Sequence, residues 1–148
     1  MISRKSTDKC LFCQIVSGKA KSWTVYEDAS VKAFLNIYPL SKGHTLIVPK
    51  IHYEGVNEIP VQTLRHMVSV AKKLTIAYGK TLGMKGVSLH SQDHLKKIKF
   101  GHYHLHVVPR YDRNERYDFA SIWPKDVPKT KPGDLEKLRL QLSVPSRP

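Results

Sequence analysis

The sequence predicts an α+β domain, a mostly antiparallel sheet of about five strands with one long helix and a C-terminal helix packed on it. Three observations carry this. Short runs rich in aromatic and β-branched residues recur between turn formers, in the order WTVYED, VKAFLNI, TLIVPK, KGVSLHS and GHYHLHVVPR. One long segment, Pro60 to Gly83, repeats apolar residues at helical steps instead. No internal repeat or low-complexity stretch divides the 148 residues, a length that suits one domain.

Residues 1–9 are polar and are expected to form a mobile N-terminal segment, residues 10–142 one domain, and residues 143–148 a tail. CLFCQIVSG opens the domain as a short helical turn, with Phe12, Ile15 and Val16 apolar and Gly18 as its stop. WTVYED and VKAFLNI form a hairpin across EDAS, and PLSKGH is a loop. TLIVPK is a buried-type strand ended by Pro49, because proline donates nothing to a ladder. In the long helix, Pro60 suits the start and Gly83 the end. Leu64, Met67, Val68, Ala71, Leu74, Thr75 and Tyr78 make its apolar stripe. DHLKKIKF is a basic connection between the last two strands, and a final helix runs from Asp134 to Leu142.

Composition narrows the function classes. Apolar residues make up 41% of the chain, and no apolar run approaches the ~18 residues that a membrane helix needs. The basic N-terminus has no apolar run behind it, so no secretory signal is expected and the protein is read as cytoplasmic. The net charge of +13 favours polyanionic partners: nucleotides, nucleic acid or acidic proteins. The two cysteines, Cys10 and Cys13, are too few for a disulfide scaffold. In a reducing compartment their spacing suits a metal half-site or a redox pair.

The chemistry concentrates in GHYHLHVVPR. Side chains alternate faces along a strand, so His102, His104 and His106 share one face and Tyr103, Leu105 and Val107 the other. Buried imidazoles need partners. Two chemistries fit such a row: a metal site with an open position, or nucleophilic catalysis by a neutral imidazole near pH 7.

HYHLHVV resembles the His-φ-His-φ-His-φ-φ signature of the histidine triad (HIT) family of nucleotide hydrolases and transferases. CLFCQIVSG, VYEDASVKAFLNIYPLSKGHTLIVPKIHYEGV and DFASIW…KPGDLEKL also resemble successive blocks of its zinc-containing prokaryotic type. The resemblance implies a HIT-like fold whose sheet extends across a homodimer. It implies that His104 attacks the α-phosphate of a purine nucleotide conjugate and forms a nucleotidyl-histidine intermediate. His106 would orient the site and share proton handling at the leaving group. Cys10, Cys13, His52 and His102 would bind a structural Zn2+. Leu11, Phe12, Ile15, Phe34 and Ile37 would form the purine slot, with Asn36 at the ribose. His44 would pack beneath the site as a hydrogen-bonded structural histidine.

The chain departs from the family before the triad. Where members carry G-Q-S-V, Ile98 and Lys99 stand at the Gln and Ser positions, and His90, Ser91 and Gln92 lie where an Asn is expected. Lys99 is therefore a candidate phosphate contact, acting as a point charge. Lys96, Lys97 and Lys99 together would favour a polyanionic leaving portion. Two other readings stay open. One is removal of AMP from nucleic-acid ends, as in the aprataxin branch. The other is a non-catalytic, nucleotide-binding regulatory homodimer.

Overall fold

A computed structural model describes residues 8–92, 101–112 and 127–146. Its elements are α1 (Leu11–Val16), β1 (Thr24–Glu27), β2 (Val31–Leu35), β3 (Thr45–Pro49), α2 (Val61–Leu82), β4 (Gly86–His90), β5 (Leu105–Arg110) and α3 (Pro132–Leu142). The strands form one sheet in the order β1-β2-β3-β5-β4, and every neighbouring pair is antiparallel. The expected α+β architecture and strand count are those observed.

Alternation along β2 and β3 divides the core in two. Ala33, Leu35 and Ile47 join Met67, Val70, Ala71, Leu74 and Tyr78 of α2 in the larger cluster. Phe34, Leu46 and Val48 point the other way and pack with Phe12 and Ile15 of α1. Both faces of β3 are thus covered, and all five of its residues are buried. The long helix starts after Pro60 and ends at Gly83, whose φ of 63° is left-handed as a C-cap requires. Its buried stripe runs through Val70 rather than Val68, which is 52% exposed. Val70 lies four residues before Leu74, so the two share one face of the helix and both are fully buried.

The β1–β2 hairpin is fixed by one carboxylate. Asp28 Oδ1 accepts from the Ser30 N–H at 2.8 Å and the Val31 N–H at 2.9 Å, closing an Asx turn. Asp28 Oδ2 accepts from the Tyr26 hydroxyl at 2.7 Å and from His66 Nε2 of α2 at 2.6 Å. The hairpin is thereby tied to the helix. At the chain's other end, the Val144 N–H donates to Val25 O at 2.7 Å, beside the β1 edge. α3 itself begins at Pro132, two residues before the expected start, because proline is well suited to the first turn.

Burial opposes ionisation of Asp28, but the bonds from Ser30, Tyr26, Val31 and His66 outweigh it and bring its pKa to about 2. A depressed carboxylate contributes stability above its unfolded pKa and loses it as pH falls through the folded one. Asp28→Asn should therefore cost about 2 kcal/mol in urea melts at pH 7. The gap from wild type should close as pH is lowered from about 4 towards 2. A gap that does not change with pH would contradict this role.

Candidate active site and metal centre

The triad segment is only partly a strand. β5 begins at Leu105, so His102 and His104 precede the ladder. The expectation that all three histidines lie on one strand is corrected here, and Pro49 is the physical reason. Lys50 N–H donates back to Ser30 O, so the nitrogen of the preceding residue faces β5. That residue is proline, which has no N–H, and the β3–β5 register stops at Ile47↔Leu105. The Tyr103 N–H turns instead to Tyr53 O at 2.7 Å. Side chains still alternate: Tyr103, Leu105 and Val107 pack with the α2-side core. The histidines face Phe12, with ring centroids 5.9 Å away for His102 and 5.2 Å for His104. His104 and His106 lie 4.8 Å apart, ring to ring.

His102 Nε2 donates to Pro49 O at 2.9 Å, which directs Nδ1 towards the cysteines. Cys10 Sγ and Cys13 Sγ each lie 3.5 Å from that Nδ1, and Cys13 Sγ is 3.3 Å from His52 Nδ1. The four ligand atoms of Cys10, Cys13, His52 and His102 fall within 4.8 Å of one another. A tetrahedral ion with Zn–S of ~2.3 Å and Zn–N of ~2.0 Å would hold sulfur and nitrogen about 3.5 Å apart. The donor set therefore suits one closed tetrahedral cation. The carbonyl behind His102 is the outer-shell acceptor such a ligand normally has.

The other two triad members are set by hydrogen bonds that assign their protons. His104 Nδ1 donates to His102 O at 2.9 Å, so in the neutral ring Nε2 carries the lone pair. His44 Nδ1 accepts from the Leu40 N–H at 3.0 Å, so its proton is on Nε2. That proton goes to His106 Nδ1 at 3.0 Å, which puts the proton of His106 on Nε2. His44 reaches this position because Gly43, with φ of 90°, turns the chain where a Cβ would meet Leu82 Cδ1 at 2.7 Å. Burial is the main cause that pushes the pKa of His44 down to about 3 and of His106 to about 2, and neighbouring imidazoles add to it. Both are neutral at physiological pH.

The remaining candidates separate by face. Phe12, Ile15 and Phe34 come together with Leu46 and Val48 on the triad side. Leu11 is 46% exposed at the surface. Ile37 is not with them and packs against the α2-side core, because it follows Leu35 by two and shares that face. Asn36 is half-buried, its N–H donates to His44 O at 2.8 Å and its Oδ1 accepts from the Tyr38 N–H. Lys96, Lys97, Ile98 and Lys99 lie outside the described residues.

The strand β4 also reaches the site. His90 pairs with His106 in register, and the two rings stand 5.8 Å apart. Ser91 Oγ donates to His104 O at 3.1 Å. Only the pairing offset of β4 and β5 reveals these two residues, and no spacing in the sequence states that offset.

Comparison with known proteins follows the same lines. The family model described as HIT domain matches residues 17–113. Protein hit of Bacillus subtilis is 33% identical over 132 residues, 88% of this chain and 90% of that protein. The adenosine 5′-monophosphoramidase hnt1 of Schizosaccharomyces pombe is 32% identical over 116 residues, 78% of this chain and 83% of that protein. A zinc-bound histidine triad family protein from Mycobacterium smegmatis has the same fold, with a TM-score of 0.70 and 31% identity. It covers 90% of this chain and 89% of that one. No helix among the described residues is long and apolar enough to cross a membrane.

A histidine held neutral by the fold stabilises it above the unfolded pKa, and that contribution is lost as pH falls towards the folded value. For His44 the window runs from about 6.5 down to about 3. Urea melts across this range should show a pH slope shallower by about one bound proton in His44→Gln than in wild type. Equal slopes would mean that His44 is not kept neutral.

Proposed function

Because this chain belongs to the HIT domain family, we propose that it is a nucleotide hydrolase or transferase that uses His104 on the α-phosphate of a purine nucleotide conjugate. The observation that carries the reading is the His104 Nδ1–H···O=C bond to His102 at 2.9 Å. In the neutral imidazole this bond leaves the Nε2 lone pair as the nucleophile. In the first step an Nε2–P bond forms and the bond to the leaving group breaks. In the second, water attacks phosphorus, the P–N bond breaks and the nucleoside monophosphate leaves. His106 offers its Nε2–H to a phosphoryl oxygen and, through His44, keeps one orientation. Phe12, Ile15 and Phe34, with Leu11 at the rim, supply the apolar wall for the base, and Asn36 supplies an amide for the ribose. The name of the Schizosaccharomyces pombe relative, adenosine 5′-monophosphoramidase, supports this substrate class.

Cys10, Cys13, His52 and His102 are proposed to hold Zn2+. Bound there, the ion supplies a structural crosslink between α1, the loop after β3 and the triad segment. The protein is proposed to act as a cytoplasmic homodimer, a reducing setting that keeps both thiols as ligands.

Wild type and His104→Ala should be compared on an adenosine 5′-phosphoramidate, a diadenosine polyphosphate and a 5′-adenylated oligonucleotide. AMP release by wild type on at least one of them, lost about a thousandfold or more in the variant, is expected. Nucleotide binding without any release would instead favour a regulatory module. Chelation should lower the melting temperature, with activity falling only as the fold loosens. Immediate loss of activity in a fully folded protein would contradict a structural metal.

A further inference from the structure

The proposed displacement needs a proton at the leaving group, and the four histidines already placed do not provide one. His104 is the nucleophile, and its Nδ1–H is held by His102 O. His102 gives its Nε2–H to Pro49 O and turns Nδ1 to the cysteines. His106 and His44 form a chain that starts at the Leu40 backbone N–H. If His106 gave up its Nε2 proton and took one from His44, His44 would have to be refilled by an amide. An amide is far too weak an acid for that. The chain can therefore donate a hydrogen bond, but it cannot deliver a net proton.

Besides His52, whose Nδ1 lies 3.3 Å from Cys13 Sγ, one further imidazole stands on this face among the described residues. His90 ends β4, directly opposite His106 in the register. Its ring is 5.8 Å from that of His106 and inclined by 40°. Cross-strand partners project from the same side of a sheet, so His90 faces where His106 faces. β4 is the last strand of the sheet among the described residues, and His90 is only half-buried there. In the single chain its ring is thus more accessible than those of the buried His44 and His106. The next residue, Ser91, bonds His104 O, so the end of β4 is fixed relative to the nucleophile.

We propose that His90 is the general acid of this site, a catalytic residue that protonates the leaving group and thereby sets which leaving groups the enzyme accepts. This rests on the His104 reading above. As the His104 Nε2–P bond forms, the P–N or P–O bond breaks and its electron pair goes to the departing atom. That atom takes the proton from His90 in its imidazolium form, which partial burial disfavours and so makes a stronger acid. In the second step the attacking water gives its proton to the now neutral His90, which restores the starting state. The leaving groups served are those that depart poorly as anions, namely amines and alcohols. An acidic phenol needs no such help.

The test uses two AMP derivatives with wild type, His90→Ala, His90→Gln and His104→Ala: the phosphoramidate and the p-nitrophenyl ester. Both His90 variants should lose about a hundredfold in kcat/KM on the phosphoramidate and change less than about threefold on the ester. Turnover of the ester reports that the site is still folded. Added imidazole should restore phosphoramidate turnover in His90→Ala and leave ester turnover unchanged. Equal losses on both substrates, or no loss on either, would overturn the assignment and leave His90 a structural residue or solvent the acid. Ester turnover that survives in His104→Ala would overturn the underlying reading, and the assignment with it.

Discussion

Pro49 has no N–H to offer β5, and the arrangement of the histidines follows from that. The ladder that would have continued through His104 and Tyr103 stops at Leu105. The carbonyl of Pro49 accepts from the His102 ring, and the Tyr103 N–H reaches Tyr53 in the next loop. The His102 carbonyl in turn accepts from His104 Nδ1. A regular strand would have engaged these backbone groups in the sheet. Outside the ladder, they are bonded to imidazoles, and each bond fixes one tautomer. The same proline that ends β3 thus directs which nitrogen of His102 meets the cysteines, while the His102 carbonyl, on the β4 side of the segment, directs which nitrogen of His104 carries the lone pair.

Charge is handled by exclusion. Six imidazoles and two thiols among the described residues crowd one side of the sheet, and simultaneous protonation of the histidines would be strongly repulsive. Burial keeps His44 and His106 neutral, and His102 is likewise lowered to about 4, chiefly by burial and against the Pro49 hydrogen bond. Neutral rings can serve as hydrogen-bond donors, ligands and nucleophiles at the same time. The cost is that none of the buried ones stores a proton, which is why the half-buried His90 matters to the chemistry.

Much of this was legible in the sequence. The order of elements, the ends of α2 at Pro60 and Gly83 and the division of His102, His104 and His106 from Tyr103, Leu105 and Val107 all follow from periodicity and residue type. The grouping of Cys10, Cys13, His52 and His102 came from resemblance to a family, and the structure gathers the same four residues. What stayed hidden depends on long-range register. Ile37 looked like a pocket residue until the alternation of Ala33 and Leu35 placed it on the far side. His90 stood at the end of the KGVSLHS strand, but that it faces His106 was known only from the pairing of β4 and β5. Val68 and Val70 are equally apolar, and only packing against Leu74 and the sheet chooses between them. Local pattern tells which faces exist, and tertiary pairing tells which residues meet across them.

The most direct measurement is the tautomeric state of each histidine, read by NMR from the long-range couplings of nitrogen-labelled imidazoles in the zinc-loaded protein at neutral pH. The account predicts a proton on Nδ1 of His104, and on Nε2 of His44, His102 and His106. A proton on Nε2 of His104 would remove the nucleophile from the site as described here. It would contradict the claim that the backbone carbonyls of the triad segment set the chemistry.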